Sequence, residues 1–169
     1  MSARAAWRLE TLGFTQVYRF TPGEADWFAS GLPIEGKLAS VPRAQHVARR
    51  DVPTCGLSDQ VGAVRERVRA AGWDQCIVVN QQRVVLGRLR QKELGGDGTA
   101  RVETVMESGP TTIRPDTMLE GIAKRMGERR VESIVVSTSD GQLVGVLYRS
   151  DAEQAVAGVQ AATKAERSE

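Results

Sequence analysis

Apolar residues at Val61, Val64 and Val68 follow the i, i+3, i+7 spacing of a single helical stripe, and Leu119, Ile122 and Met126 repeat that spacing further along. Thr117 with Glu120 three residues later is a capping-box signature that sets the start of the second helix. Gly72, free to adopt a left-handed conformation, closes the first. After each helix the pattern turns β-branched. Cys76-Ile77-Val78-Val79 and Ile134-Val135-Val136 predict short buried strands. Polar turns follow at 80–83 and 138–141, the latter with the hairpin pair Asp140-Gly141, and then return strands at 84–86 and 143–147. A short helix near Gln91–Leu94 and a longer one from about Asp151 to Ala162 end the two series.

These series are a repeat. Pro53-Thr54 and Asp59 recur as Pro110-Thr111 and Asp116 at an offset of 57, while Gly87 and Glu93 recur as Gly145 and Asp151 at an offset of 58. One inserted residue accounts for the difference. The unit is β-α-β-β-α, and one copy cannot cover both faces of so small a sheet. The expected fold is therefore α/β (α+β), two units packed as a pseudo-twofold pair, with a small N-terminal helix-strand-helix appendage.

The stretch Val105-Met106-Glu107-Ser108-Gly109-Pro110-Thr111-Thr112-Ile113-Arg114-Pro115-Asp116, the striped helix after it, Ile134-Val135-Val136, and Asp140-Gly141-Gln142-Leu143-Val144-Gly145-Val146-Leu147 with Asp151 resemble a CBS domain. The first copy is similar but looser. The resemblance implies a tandem CBS module, a non-enzymatic regulatory unit that binds an adenosine-containing molecule (AMP, ADP, ATP or S-adenosylmethionine) in the cleft between its repeats. It also implies a homodimer and a regulated protein partner. The alternative is a structural, protein-interaction module that no longer binds nucleotide.

In that family the segment from the last strand into the next helix carries a hydroxyl residue and an aspartate that accepts ribose hydroxyls. Gly145-Val146-Leu147-Tyr148-Arg149-Ser150-Asp151 keeps the aspartate and puts Tyr148 at the hydroxyl position. Gly87-Arg88-Leu89-Arg90-Gln91-Lys92-Glu93 has Arg90 and Glu93 there. Asp151 is read as an N-cap, a ribose acceptor, or both. By the same resemblance Thr112, Val131, Ile134 and Val135 line the base, or else fill a core, and Cys55 stands where Thr112 stands in the other copy. Glu132 and Asp74 precede the central strands, where a carboxylate repels phosphate. Arg129, Arg130 and Arg149 in the second copy and Arg88 and Arg90 in the first are the cations near enough in sequence to compensate.

Residues 1–50 have a different texture: a helix from Ala3 toward Gly13, a strand at Val17–Phe20, a turn at Pro22-Gly23 and a helical turn at Glu24–Phe28. The string Leu9 to Phe14, Val17-Tyr18, Gly23, Trp27, Gly31-Leu32-Pro33 and Gly36 resembles the C-terminal end of a rhodanese domain. Rhodanese catalysis needs a cysteine, and residues 1–50 hold none, so sulfur transfer is not expected. Trp7, Phe14, Phe20 and Trp27 form an apolar face that needs covering.

Composition trims the remaining options. Among 169 residues there are two cysteines and one histidine, too few for a zinc cluster or a disulfide framework. No run reaches the roughly 20 apolar residues of a membrane span, and charged residues interrupt any signal-like N-terminus, so a cytoplasmic protein is expected. Residues 1–50 carry a net charge of +3, concentrated at Arg43, Arg49 and Arg50. Without aromatic platforms this reads as a solvated connector rather than a nucleic-acid arm. The expected division is a rhodanese-like fragment at 1–36, a basic linker at 37–50, repeats at 51–108 and 109–162, and a polar tail at 163–169.

Overall fold

The computed structural model describes residues 3–21, 23–36 and 41–166. The N-terminal appendage holds α1 (Ala3–Thr11) and α2 (Glu24–Ala29), followed by the short α3 (Ala44–Val47). The first sheet has the order β1 (Thr54–Cys55), β2 (Cys76–Val79), β3 (Val85–Leu89), β4 (Glu107–Ser108). The second has the order β5 (Thr112–Ile113), β6 (Ser133–Ser137), β7 (Leu143–Tyr148). The first sheet carries α4 (Val61–Ala70), α5 (Gln91–Leu94) and α6 (Val102–Val105), and the second carries α7 (Leu119–Glu128) and α8 (Arg149–Glu166). In both, the first strand pairs parallel with the central strand, which pairs antiparallel with the return strand.

The helical stripes are buried as their spacing requires: Val61, Val64 and Val68 on α4, and Leu119, Ile122 and Met126 on α7. Each sheet has its own core. A third cluster, of Val52, Ile77, Val135, Leu143 and Val146, joins the two. The hairpin turns meet as well, since the Val85 amide donates to the Gly141 carbonyl and the Leu143 amide to the Arg83 carbonyl, both at 2.9 Å. Gly141 takes the left-handed φ of +80° that the Asp-Gly turn requires.

The repeat is in register at a single offset of 58, without the inserted residue. Thr54 pairs with Ile77 as Thr112 pairs with Val135, so Thr54, and not Cys55, is the counterpart of Thr112. The Asp59–Asp116 match at 57 lies in loops, and the Pro-Thr match sets Thr54 of β1 against Thr111, which precedes β5.

The frame extends into the stretch expected to be a solvated linker. Lys37 to Ser40 lie outside the described residues, but from Val41 onward the chain is packed. Ala44 and Ala48 are buried in the core of the second sheet. α3 is the counterpart of α6, and the Arg49–Val146 bridge is the counterpart of the β4 pairing of Glu107 with Arg88. Each repeat's opening segment therefore completes a sheet: residues 43–49 finish the second, and residues 101–108 finish the first. Small apolar residues spaced for one helical turn buried this segment, whereas its arginines suggested solvent.

The same segment replaces the expected cap. α7 begins after Met118 with no side-chain cap, so Thr117 and Glu120 form no capping box. The Leu119 amide donates instead to the Pro42 carbonyl at 3.0 Å. At the other end, α8 begins at Arg149 and its backbone is helical through Glu166, past the expected boundary at 162. Asp151 therefore sits inside the first turn and is not an N-cap. Positions 167–169 of the expected tail lie outside the described residues.

The appendage is helix–loop–helix. Val17–Phe20 forms no strand, because no described strand lies alongside to pair with it. Pro22 of the expected turn lies outside the described residues. Phe20 packs edge-on against Trp27 at 5.2 Å. Docking onto the repeats comes from Phe28, buried beneath the Arg43 guanidinium at 4.4 Å, and from Asp26, which accepts the Ser139 hydroxyl at 2.5 Å. Burying a phenylalanine contributes about 1.5–3 kcal/mol. Trp7 and Phe14 remain exposed, so the expected four-residue apolar face is covered only on its Phe20–Trp27 side.

Gly145 is where the swapped edge comes closest, since a Cβ there would stand 2.5 Å from the Arg49 carbonyl oxygen. Gly87 faces the Glu107 carbonyl in the same way, at 2.9 Å. Gly145→Ala is expected to cost about 1–3 kcal/mol in denaturant unfolding by forcing the edge off β7. Gly121→Ala, on an exposed face of α7 with nothing within 4 Å, should instead stabilise by up to about 1 kcal/mol.

Candidate functional site

Two clefts follow from the pseudo-twofold frame, one on each side of the junction between repeats. The structure divides the expected site residues between them.

The first is a cavity of about 300 Å³ between β3 of the first repeat and β5, α7 and β6 of the second. Arg88 and Arg90 come from β3 and its end, Thr112 from β5, Arg125 and Arg129 from the end of α7, and Val131, Ser133 and Ile134 from the approach to β6. Arg125 and Arg129 lie four apart, so both project from one side of α7. Four of the expected residues, Arg90, Thr112, Val131 and Ile134, therefore share one wall system. Glu107 on β4 is the carboxylate recorded in contact with the arginines. It accepts Arg88 Nε at 2.8 Å and a second Arg88 nitrogen at 2.9 Å, with Arg90 Nε 3.6 Å away. The Arg88 hydrogen bonds hold the Glu107 carboxyl below its ordinary range. Four guanidinium groups against one carboxylate leave the cleft strongly cationic.

On the other side of the junction, the equivalent side chains bond one another. Both Asp151 carboxylate oxygens accept from the Arg49 guanidinium, at 2.7 and 2.9 Å, and these bonds lower its pKa. The same guanidinium lies 4.8 Å over the Tyr148 ring, which packs at 5.9 Å against Trp73. The Tyr148 hydroxyl donates to Asp74 and accepts from Gln75 Nε2 at 2.9 Å. Burial first, then the Asp74 partner, pushes the phenol up to about 12. Gln75 also donates to its own counterpart Ser133 at 3.1 Å, which ties the two clefts together.

The other expected residues are placed elsewhere. Val135 is fully buried in the inter-sheet cluster, and Cys55 packs in the first core, so neither lines a cleft. The Cys55 thiol beside it, together with burial, pushes the Cys76 thiol well above its ordinary range, and both side chains are buried in the first core. Glu93 accepts the Arg90 amide at 3.0 Å and so caps α5. Arg149 pairs with Glu132 at 2.6 Å, neutralising the carboxylate expected to repel phosphate. Arg130 is exposed and lines neither cleft described above.

Sequence reasoning missed Arg125 and Arg49. The first could have been found one step before Met126 in the α7 stripe. The second was visible only as the 58-residue echo of Glu107.

The sequence profile of the CBS domain matches residues 102–158. The inosine-5'-monophosphate dehydrogenase of Korarchaeum cryptofilum (strain OPF8) is 26% identical over 113 residues, covering 66% of this chain and 24% of that protein. The chain thus spans about a quarter of that relative's length. Among solved structures, the CBS domains of a transcriptional regulator from Streptococcus pneumoniae superpose with a TM-score of 0.62 at 21% identity, covering 68% of this chain and 99% of that one. CBSX2 in complex with AMP gives 0.62 at 19%, covering 70% and 98%. The cytosolic domain of the Mg2+ channel MgtE in complex with ATP gives 0.62 at 22%, covering 70% and 51%. The match to the CBS profile covers residues 102–158, and the fold is that of paired CBS structures.

Both ion pairs that edge the clefts depress a carboxyl pKa. Their stabilisation is therefore complete above the ordinary carboxylate range, about pH 4, and is lost as pH falls through the lowered folded values. Denaturant unfolding is expected to show falling stability below about pH 4. Glu107→Gln should flatten part of that loss, and an unchanged acid profile in this variant counts against the Arg88–Glu107 assignment.

Proposed function

We propose that the chain is a regulatory ligand-sensing module, with no catalysis of its own, that binds an adenosine nucleotide in the Arg88–Arg129 cleft. One observation carries the reading: four arginines converge on a cavity whose other wall is apolar, at the junction of two repeats. Val131 and Ile134 offer the surface a purine needs, and the guanidinium groups offer what a phosphate needs. The cavity's volume is at the low end of the roughly 300–1,000 Å³ typical of small-molecule sites, which suits one mononucleotide. S-adenosylmethionine carries a cationic sulfonium and fits this charge poorly. The AMP and ATP held by the similar CBSX2 and MgtE structures support the same ligand class.

The reading extends to a homodimer and a regulated protein partner in the cytoplasm. In support of pairing, Val41, Pro42, Met118, Val156 and Val159 line an apolar groove of about 490 Å³ between α7 and α8. No described helix is long and apolar enough to cross a membrane. The dehydrogenase activity of the curated relative is not carried over, and the rhodanese-like N-terminal fragment is assigned no sulfur transfer.

AMP, ADP and ATP should raise the melting temperature, by about 2.7 kcal/mol of added stability at a hundredfold excess over Kd, with adenosine and S-adenosylmethionine well behind. Arg129→Ala should weaken AMP at least tenfold in calorimetry and leave the unliganded melting temperature unchanged. Absence of stabilisation by every nucleotide overturns the proposal.

A further inference from the structure

The two clefts occupy equivalent places in one frame, 58 residues apart, yet their contents differ position by position. Arg90 at the rim of the open cleft corresponds to Tyr148 in the other, Val131 to Trp73, and Arg129 to Ala71. Arg125 corresponds to Arg67, which is held by Asp59 at 2.7 Å. Glu107, which pairs with Arg88 on the neighbouring strand and lies 3.6 Å from Arg90, corresponds to Arg49, which pairs with Asp151. The substitutions replace cations and a small aliphatic wall with two aromatic rings in contact.

We propose that the chain takes one nucleotide only, in the arginine-lined cleft, and that the equivalent cleft is a permanent structural joint closed by Trp73, Tyr148 and Arg49. This rests on the nucleotide reading above and fixes its stoichiometry. A ribose at Asp151 must displace a bidentate, charge-assisted pair that occupies both carboxylate oxygens. Arg49 cannot withdraw with its backbone, because it exchanges two 2.9 Å hydrogen bonds with Val146. A base must also displace a tyrosine ring held by Trp73 on one side, the Arg49 guanidinium on another, and two hydrogen bonds at its hydroxyl. The joint therefore uses the family's aspartate as an anchor for the swapped N-terminal edge.

Calorimetry of the full chain with AMP should give one equivalent per chain, and two equivalents overturn the inference. Asp151→Asn should leave the AMP Kd within twofold, whereas a tenfold loss places nucleotide at Asp151 and overturns it. The double variant Arg90→Ala/Arg129→Ala should lose binding by at least a hundredfold, and one full equivalent retained at wild-type affinity overturns it. A ligand-free arm separates the two ideas. In Trp7→Phe/Trp27→Phe the remaining Trp73 should be shielded from acrylamide, with or without saturating AMP. Quenching as ready as in the unfolded chain shows an open cleft and overturns the joint. No AMP binding by the wild type removes the nucleotide reading, while Trp73 shielding still decides the joint.

Discussion

The close approach of two short edge segments to two glycines organises this molecule. Residues 43–49 reach β7 across Gly145, and residues 101–108 reach β3 across Gly87, each stacking a carbonyl where a side chain would otherwise stand. The approach places a charged residue at the mouth of each cleft, Arg49 in one and Glu107 in the other. The strand registers match on both sides, while the side chains carried above them differ.

Such a frame allows divergence at little cost to the fold. The cores beneath α4 and α7 use equivalent positions, and the strand registers match. Above them, one face gathers guanidinium groups and the other gathers aromatic rings. Tyr148, Arg90, Glu132 and Asp74, which depart from the family's pattern, do not act together. Tyr148 and Asp74 close one side, whereas Arg90 lines the open side and Glu132 is neutralised by Arg149.

Much of the fold was legible because it rests on periodicity. The stripes at Val61 and Leu119, the β-branched runs and the Asp140-Gly141 turn each have one physical reading, and each formed. What the periodicity left open depended on longer range. The Pro-Thr match shifted the first strand by one residue, and in a strand a one-residue slip exchanges faces, which set the buried Cys55 opposite Thr112 in place of Thr54. Arg49 and Asp151 are 102 residues apart, and no local pattern predicts that a residue in an apparent linker will occupy a carboxylate in the last helix. The convergence of Arg88 and Arg90 with Arg125 and Arg129 depends likewise on the packing of the repeats.

The crossed edges also bear on how the polypeptide matures. A chain emerging from the ribosome has α3 and Arg49 available long before β7 exists to receive them, and β3 waits in turn for residues 107–108. The first sheet is contiguous from residue 54 to 108 and closes as soon as residues 107–108 follow β3, whereas residues 43–49 must wait for β7 before the second sheet is complete. Contacts of such long sequence separation slow folding and expose unpaired edges in the interval. The second half is therefore completed after the first, by a segment made before either sheet.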